Sequence, residues 1–352
     1  MITNPLDLDI VERLRLEEEF FAQPYMMSYS GLNKLAYSPG AFYQHYVLKQ
    51  RDDTVDKAAA EGKLLHCKIL NPETFDQEFI ILPDTFPSDN PKKVLDKLFV
   101  KLKSENPDLA VIPLPLILSE SSVHDIILEL LREENLYQSL KTNAQRLDKM
   151  LTEKNISYLQ FLILSGSRTV VDQAMVTFAD RAKDAFMSRK NVREIMALDD
   201  FTTANVKVFN EIPLASFPEQ YSFGLRGIID NLVIDHDNRV IRINDLKKSS
   251  KALSNFQDSI EYYKYWIQAA MYHNLVINNR ETAFSVDYPI EFRFIVVDPY
   301  MHIGVLKVSD ATMDKWLDDT VALLKVANFH FESRNFSLPH EFLISDTHEH
   351  VI

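Results

Sequence analysis

Val240 to Lys247 alternates in character, so Ile241, Ile243, Asp245 and Lys247 are expected on one face of a strand, because strand side chains repeat every two residues. That face turns from apolar to charged within four residues. Ile228 to Asp235 reads as the preceding strand, with Asp230 on the side of Leu232 and Ile234, and residues 236–239 read as the turn between them. Asp230 and Asp245 are then expected to meet across neighbouring strands. From Phe256 to Ile277 the spacing becomes helical: Phe256, Ile260, Tyr263, Ile267 and Met271 make an apolar stripe, and Glu261, Tyr265, Gln268 and Tyr272 a second stripe beside it.

Elsewhere the pattern predicts helices more often than strands. Residues 1–24 read as a peripheral helix, followed by a short helix capped by Ser30 and another started by Ser38 and Pro39. Asp56 is placed to cap a helix from Lys57 to Leu70 that stops at Asn71 and Pro72, with Gly62 and His66 on one face. Glycine is a poor helix former, so Gly62 suggests that another group approaches closely there. Prolines punctuate residues 87–115, and Val123 to Ile195 is largely helical in pattern. Val206 to Ile212, Ile290 to Val297 and His302 to Val308 read as strands, and Ser309 caps a last helix. The expected architecture is α/β, a mixed central sheet flanked by helices.

Two carboxylates and a lysine on a predicted hairpin suit phosphodiester hydrolysis. A hard divalent cation is held by one or two carboxylates and keeps several waters, and an ammonium can balance charge that develops on phosphate oxygens. Asp230 and Asp245 are the candidate ligands of Mg2+ or Mn2+, and Lys247 the candidate ammonium.

The ordered set of Gly227 with Asp230, Asp245 with Lys247, and Gln268 with Tyr272 resembles the GxxD, DxK and QxxxY signatures of the PD-(D/E)XK nuclease superfamily in its RecB-like branch. Residues 28–43 and the run Gly62, His66, Leu70, Pro72, Phe75 are similar to segments of the exonuclease VIII (RecE-like) group. The PD dipeptide itself is absent, since Asn244 precedes Asp245. The resemblance implies one PD-(D/E)XK restriction-endonuclease-like domain over 1–352, with a helical insertion at 84–200 and the catalytic sheet and helix at 206–308. It further implies an exonuclease acting on linear duplex DNA ends in phage-type recombination or repair. His66 would be a metal ligand or position the water, Glu211 would assist the metal, and Gln268 and Tyr272 would position DNA or the lysine. A single-strand annealing protein is the implied recombination partner, and a homo-oligomer the implied assembly. The alternatives are an endonuclease or single-strand nuclease of the same fold, or a DNA-binding or assembly protein derived from it.

Composition narrows the field further. The chain of 352 residues carries a net charge of -13, which repels a polyanion at long range. Against that, Arg239, Arg242, Lys247, Lys248 and Lys251 form a basic strip around Asp245, the expected DNA contact. The single cysteine, Cys67, excludes an internal disulfide and a four-cysteine cluster. Seven glycines include neither a dinucleotide-binding nor a P-loop pattern. An acidic N-terminus and the lack of a long apolar run give a cytoplasmic expectation with no membrane partner, in a bacterial host if phage-encoded. His340, His348 and His350 are read as part of the chain terminus rather than as a metal site.

Overall fold

The computed structural model describes residues 9–50, 57–106, 108–166, 168–198, 201 and 203–344, so the expected Asp56 cap, His348 and His350 lie outside the described residues. The chain forms two compact units, one of residues 1–56 with 181–352 and one of residues 57–180. The helical insertion expected at 84–200 overlaps the second of these units.

The first unit is built on a mixed sheet of six strands: β1 (Met26–Met27), β2 (Val206–Ser216), β3 (Gly224–Asp235), β4 (Val240–Lys248), β5 (Ile290–Val297) and β6 (Ile303–Lys307). β2, β3 and β4 run antiparallel in sequence, β4 and β5 are parallel, and β5 and β6 antiparallel. A parallel pair needs a crossover rather than a hairpin, and the helical segment between β4 and β5 supplies it.

Five helices of this unit bear on the site: α1 (Tyr29–Tyr37), α2 (Lys190–Met196), α3 (Phe256–Tyr262), α4 (Tyr265–Phe284) and α5 (Asp310–Ser333). Ile241, Ile243, Phe292 and Phe294 of the sheet share one buried cluster with Leu32 and Leu35 of α1, Ile267 and Leu275 of α4 and Leu324 of α5. Burial of each such side chain contributes about 1.5–3 kcal/mol, which fixes the face that carries Asp245 and Lys247 against these helices. α2 lies on the opposite face, where backbone carbonyls of Ile195 and Met196 accept hydrogen bonds from the sheet.

Several local expectations change. Ser28, not Ser30, caps α1, its hydroxyl accepting from the Gly31 N–H at 3.2 Å, whereas Ser38 caps its helix as expected. The single helix expected over Phe256–Ile277 is broken between α3 and α4 by Lys264, at φ +53°. Tyr263 therefore leaves the apolar stripe and is exposed, while Phe256, Ile260, Ile267 and Met271 are buried as expected.

The second unit is mostly helical. Val94, Leu95, Leu98, Ile127, Leu130 and Leu131 form its main core, and a short parallel pair, Phe79–Ile81 with Thr169–Val171, shares a second cluster with Leu64 and Cys67 of the helix Lys57–Leu70 and Val176 of the helix Gln173–Ser188. Gly62 lies within that helix, but a Cβ there meets no heavy atom within 4 Å beyond the helix's own backbone among the described residues. Among the described residues no helix is long and apolar enough to cross a membrane.

Candidate active site

The sheet forks at the site. β3 pairs with β4 only from Asn231–Asn244 to Asp235–Val240, while β4 continues to Lys248 alongside β5. Beyond Asn231, the same edge of β3 next meets β1, at Gly224 and Leu225. Asp230 stands at the apex. Its Oδ2 accepts the backbone N–H of Leu246 at 2.8 Å, which serves a donor that the diverging strand no longer meets.

The strand pair β2–β3 is irregular at the same level. Asn210 pairs with Asn231 and Ile212 with Ile229, but Glu211 and Asp230 between them make no ladder pair. Leu232 and Ile234 share the main core with Leu225 and Ile229, and Phe209 packs there as do Ile212 and Leu214. A regular strand would send Ile229 and Leu232, three apart, to opposite faces, so the alternation restarts across this point. Glu211 takes φ +48°, a conformation that costs a residue with a side chain about 1–2 kcal/mol. Such outliers persist where surrounding structure imposes them, often next to functional sites.

Asp245 is 0% and Asp230 7% exposed. The Lys247 Nζ lies 2.6 Å from Asp245 Oδ2 and 4.9 Å from the Tyr265 ring centroid. Burial works against the charge of Lys247, but Asp245 first and Asp230 second outweigh it and hold the ammonium above its ordinary range. The lysine is therefore a fixed cation rather than a general base.

α4 closes one side. Gln268 and Tyr272, four residues apart on one helical face, are joined by a hydrogen bond from Gln268 Nε2 to Tyr272 Oη at 3.0 Å. Burial pushes the Tyr272 hydroxyl pKa up, and Asp230 and Asp245 push it further, so it stays a neutral donor or acceptor. Its ring lies on β3 at Gly227, where a Cβ would stand 2.7 Å from Tyr272 Cε1. Only glycine admits the helix that closely. The break before α4 is held from α1, with the Tyr29 hydroxyl donating to the Tyr263 carbonyl at 2.5 Å and Asn33 Nδ2 to the same oxygen at 3.4 Å.

A pocket of about 870 Å³ opens in the fork, lined by Tyr29, Arg226, Gly227, Lys247, Gln268 and Tyr272 among others. The donor set suits a hard dication. It offers only oxygens, the carboxylates of Asp230 and Asp245 together with the buried Gln268 Oε1, which has no hydrogen-bond partner among the described residues. Among the described residues no three His, Cys, Asp or Glu side chains gather into a ready-made cage.

The structure thus brings Asp230, Asp245, Lys247, Gln268 and Tyr272 together. Glu211 falls opposite Asp230 in the strand register, on the strained residue of β2. His66 lies on the helix Lys57–Leu70 of the second unit. The basic strip divides: Arg242 is paired with Asp235, Arg239 lies over the Tyr288 ring at 5.4 Å beside the hairpin turn, and Lys251 is 4.0 Å from Asp258, with Lys248 the last residue of β4. Sequence reasoning passed over Tyr29 and Arg226, and also a row of asparagines behind the site. Asn231 Nδ2 donates to Asn210 Oδ1 at 2.9 Å and to the Met196 carbonyl, and Asn244 Nδ2 donates to Asn231 Oδ1 at 2.7 Å and to the Ile195 carbonyl. Polar residues inside apolar strands were the available signal, since buried amides must find partners.

No protein-family model matches the chain, and no curated protein matches it in sequence. Among solved structures, the crystal structure of a "Putative exonuclease" from Eubacterium rectale aligns over 100% of this chain and 95% of its own, at 12% identity and a TM-score of 0.43. A likeness at that level carries no argument about either fold or activity.

Proposed function

We propose that the chain is a metal-dependent deoxyribonuclease of the PD-(D/E)XK, RecB-like kind that removes nucleotides from the ends of linear duplex DNA. The observation that carries this reading is the buried pair of Lys247 and Asp245 at 2.6 Å, set at a fork of the sheet whose apex residue is Asp230. Asp230 and Asp245 would hold Mg2+ or Mn2+. When bound, such an ion supplies Lewis acidity and a water of lowered pKa.

The remaining work belongs to the chain itself. Lys247 stays protonated, holds Asp245 in place and presents its N–H groups to negative charge that develops on the phosphate. Gln268 and Tyr272, joined to each other with the Tyr272 ring seated on Gly227, fix the wall against which the phosphate is positioned. Arg226, on the exposed rim of the pocket, is placed to meet a neighbouring phosphate. The part given to His66 rests on the sequence resemblance, as do the annealing partner, the homo-oligomer and the role in recombination.

Release of nucleotides from linear duplex DNA in Mg2+, beside covalently closed circular DNA and an EDTA control, tests the reading. Loss of the linear DNA alone, abolished by EDTA, is expected. Equal attack on the closed circle would make the centre an endonuclease. Intact DNA throughout would remove the catalytic reading.

A further inference from the structure

The α3–α4 break carries a feature that the hydrolytic centre does not use. Three tyrosines lead from solvent to the lysine. Tyr262 is 80% exposed and stands edge-on to Tyr263 with centroids 4.9 Å apart. Tyr263, 46% exposed, stacks on Tyr265 at 5.3 Å and 23°, and Tyr265 faces the Lys247 ammonium at 4.9 Å. The two outer rings contribute little to the core, yet the backbone beneath them is pinned by Tyr29 and Asn33 on one carbonyl. The pocket that Tyr265 and Lys247 share is also lined by Met26, Tyr29, Arg226 and Ile228.

Aromatic faces ordered beside cations are the surface that an unpaired nucleic-acid strand selects, since every base has a face to stack and every linkage a phosphate to neutralise. Of the acids on α3, Asp258 lies 4.0 Å from Lys251. A blunt duplex end offers only the face of its terminal pair, whereas an unpaired strand offers a face at every base.

We infer that Tyr262 and Tyr263 form a base-stacking platform, so that the strand entering the centre does so unpaired, as a frayed or single-stranded end. This rests on the nuclease reading and narrows its substrate: a duplex with a short single-stranded tail is the preferred form over a blunt one.

The full-length chain in EDTA, titrated into a short fluorescein-labelled single strand and into a blunt duplex and read by anisotropy, tests the platform apart from hydrolysis. The wild type binds the single strand more tightly. Tyr262→Ala and Tyr263→Ala weaken that binding by about tenfold or more, the range of a lost base–aromatic stack. Tyr262→Phe and Tyr263→Phe restore it, since stacking needs the ring and not the hydroxyl. Initial rates in Mg2+ then favour the tailed duplex in the wild type and lose that preference in the alanine variants. The inference is overturned if the wild type fails to bind the single strand, if the alanine variants bind it as the wild type does, or if phenylalanine fails like alanine. A wild type that binds the strand with the expected variant pattern but hydrolyses no DNA upholds the platform and removes the nuclease reading instead.

Discussion

Two rows of side chains cross the same three strands one residue apart, and they are treated in opposite ways. Asn210, Asn231 and Asn244 are chained amide to amide and anchored to carbonyls at the end of α2. Their sequence neighbours, Glu211, Asp230 and Asp245, occupy the point where ladder pairing fails and the sheet forks. The neutral row spends its hydrogen bonds inside the protein and fixes the strands. In the acidic row Asp245 and Asp230 are buried beside one lysine, which in turn lines the pocket. Hydrogen bonding and charge are thus divided between two neighbouring rows, which lets the charged row be irregular without loosening the sheet.

The comparison breaks most severely at the lysine. Lys247→Ala leaves the buried Asp245 without its ammonium, and loss of one partner of a buried pair costs about 3–5 kcal/mol. Thermal denaturation without added metal reads this as a large fall in Tm. The same pair sets a pH dependence. Because the folded state holds the lysine pKa above its ordinary 10.5, its contribution is complete below that value and is lost as pH rises through the raised one. The wild type should therefore lose stability at strongly alkaline pH more steeply than Lys247→Ala.

Asn231→Leu is the matching change in the neutral row. It removes two donated bonds and leaves Asn244 Nδ2 without the Asn231 acceptor, for about 2–3 kcal/mol by denaturant titration. Activity should fall less than stability, since the carboxylates and the lysine remain. If activity vanished with little loss of stability, the proposed division between the rows would fail.

Gly227→Ala sharpens the account from the helix side. A Cβ at 2.7 Å from the Tyr272 ring must push α4 away, with an overpacking cost of about 1–3 kcal/mol. A lower kcat should accompany it, because Gln268 and Tyr272 move with the helix. The smallest effect is expected in the second unit. Gly62→Ala meets open space inside a helix and should stabilise by about 0.5–1 kcal/mol. An increase in KM for DNA without loss of stability would show that the space is kept for the substrate.

Much of the site was legible because it follows strict local periods. Alternation placed Asp245 and Lys247 on one face, and helical spacing joined Gln268 to Tyr272. The fork was not legible, since it depends on where β3 leaves β4, a tertiary event. The break at Lys264 was hidden because an apolar stripe continues through it, and its support comes from Tyr29, 234 residues away from Tyr263 in the chain. The asparagine row was not legible either, because its anchoring partners are carbonyls of α2, distant in the chain. At Gly62 the residue type suggests crowding, whereas a Cβ there meets open space among the described residues.

The most direct test of the centre is the single-turnover rate of nucleotide release from linear duplex DNA in saturating Mg2+, for the wild type and for Asp245→Asn. Asparagine keeps the shape of the buried side chain and removes its charge. The account predicts a fall of about a hundredfold or more, the scale of losing a preorganised electrostatic group, with the fold retained. A variant that releases nucleotides at the wild-type rate would contradict the placement of the hydrolytic centre at this fork.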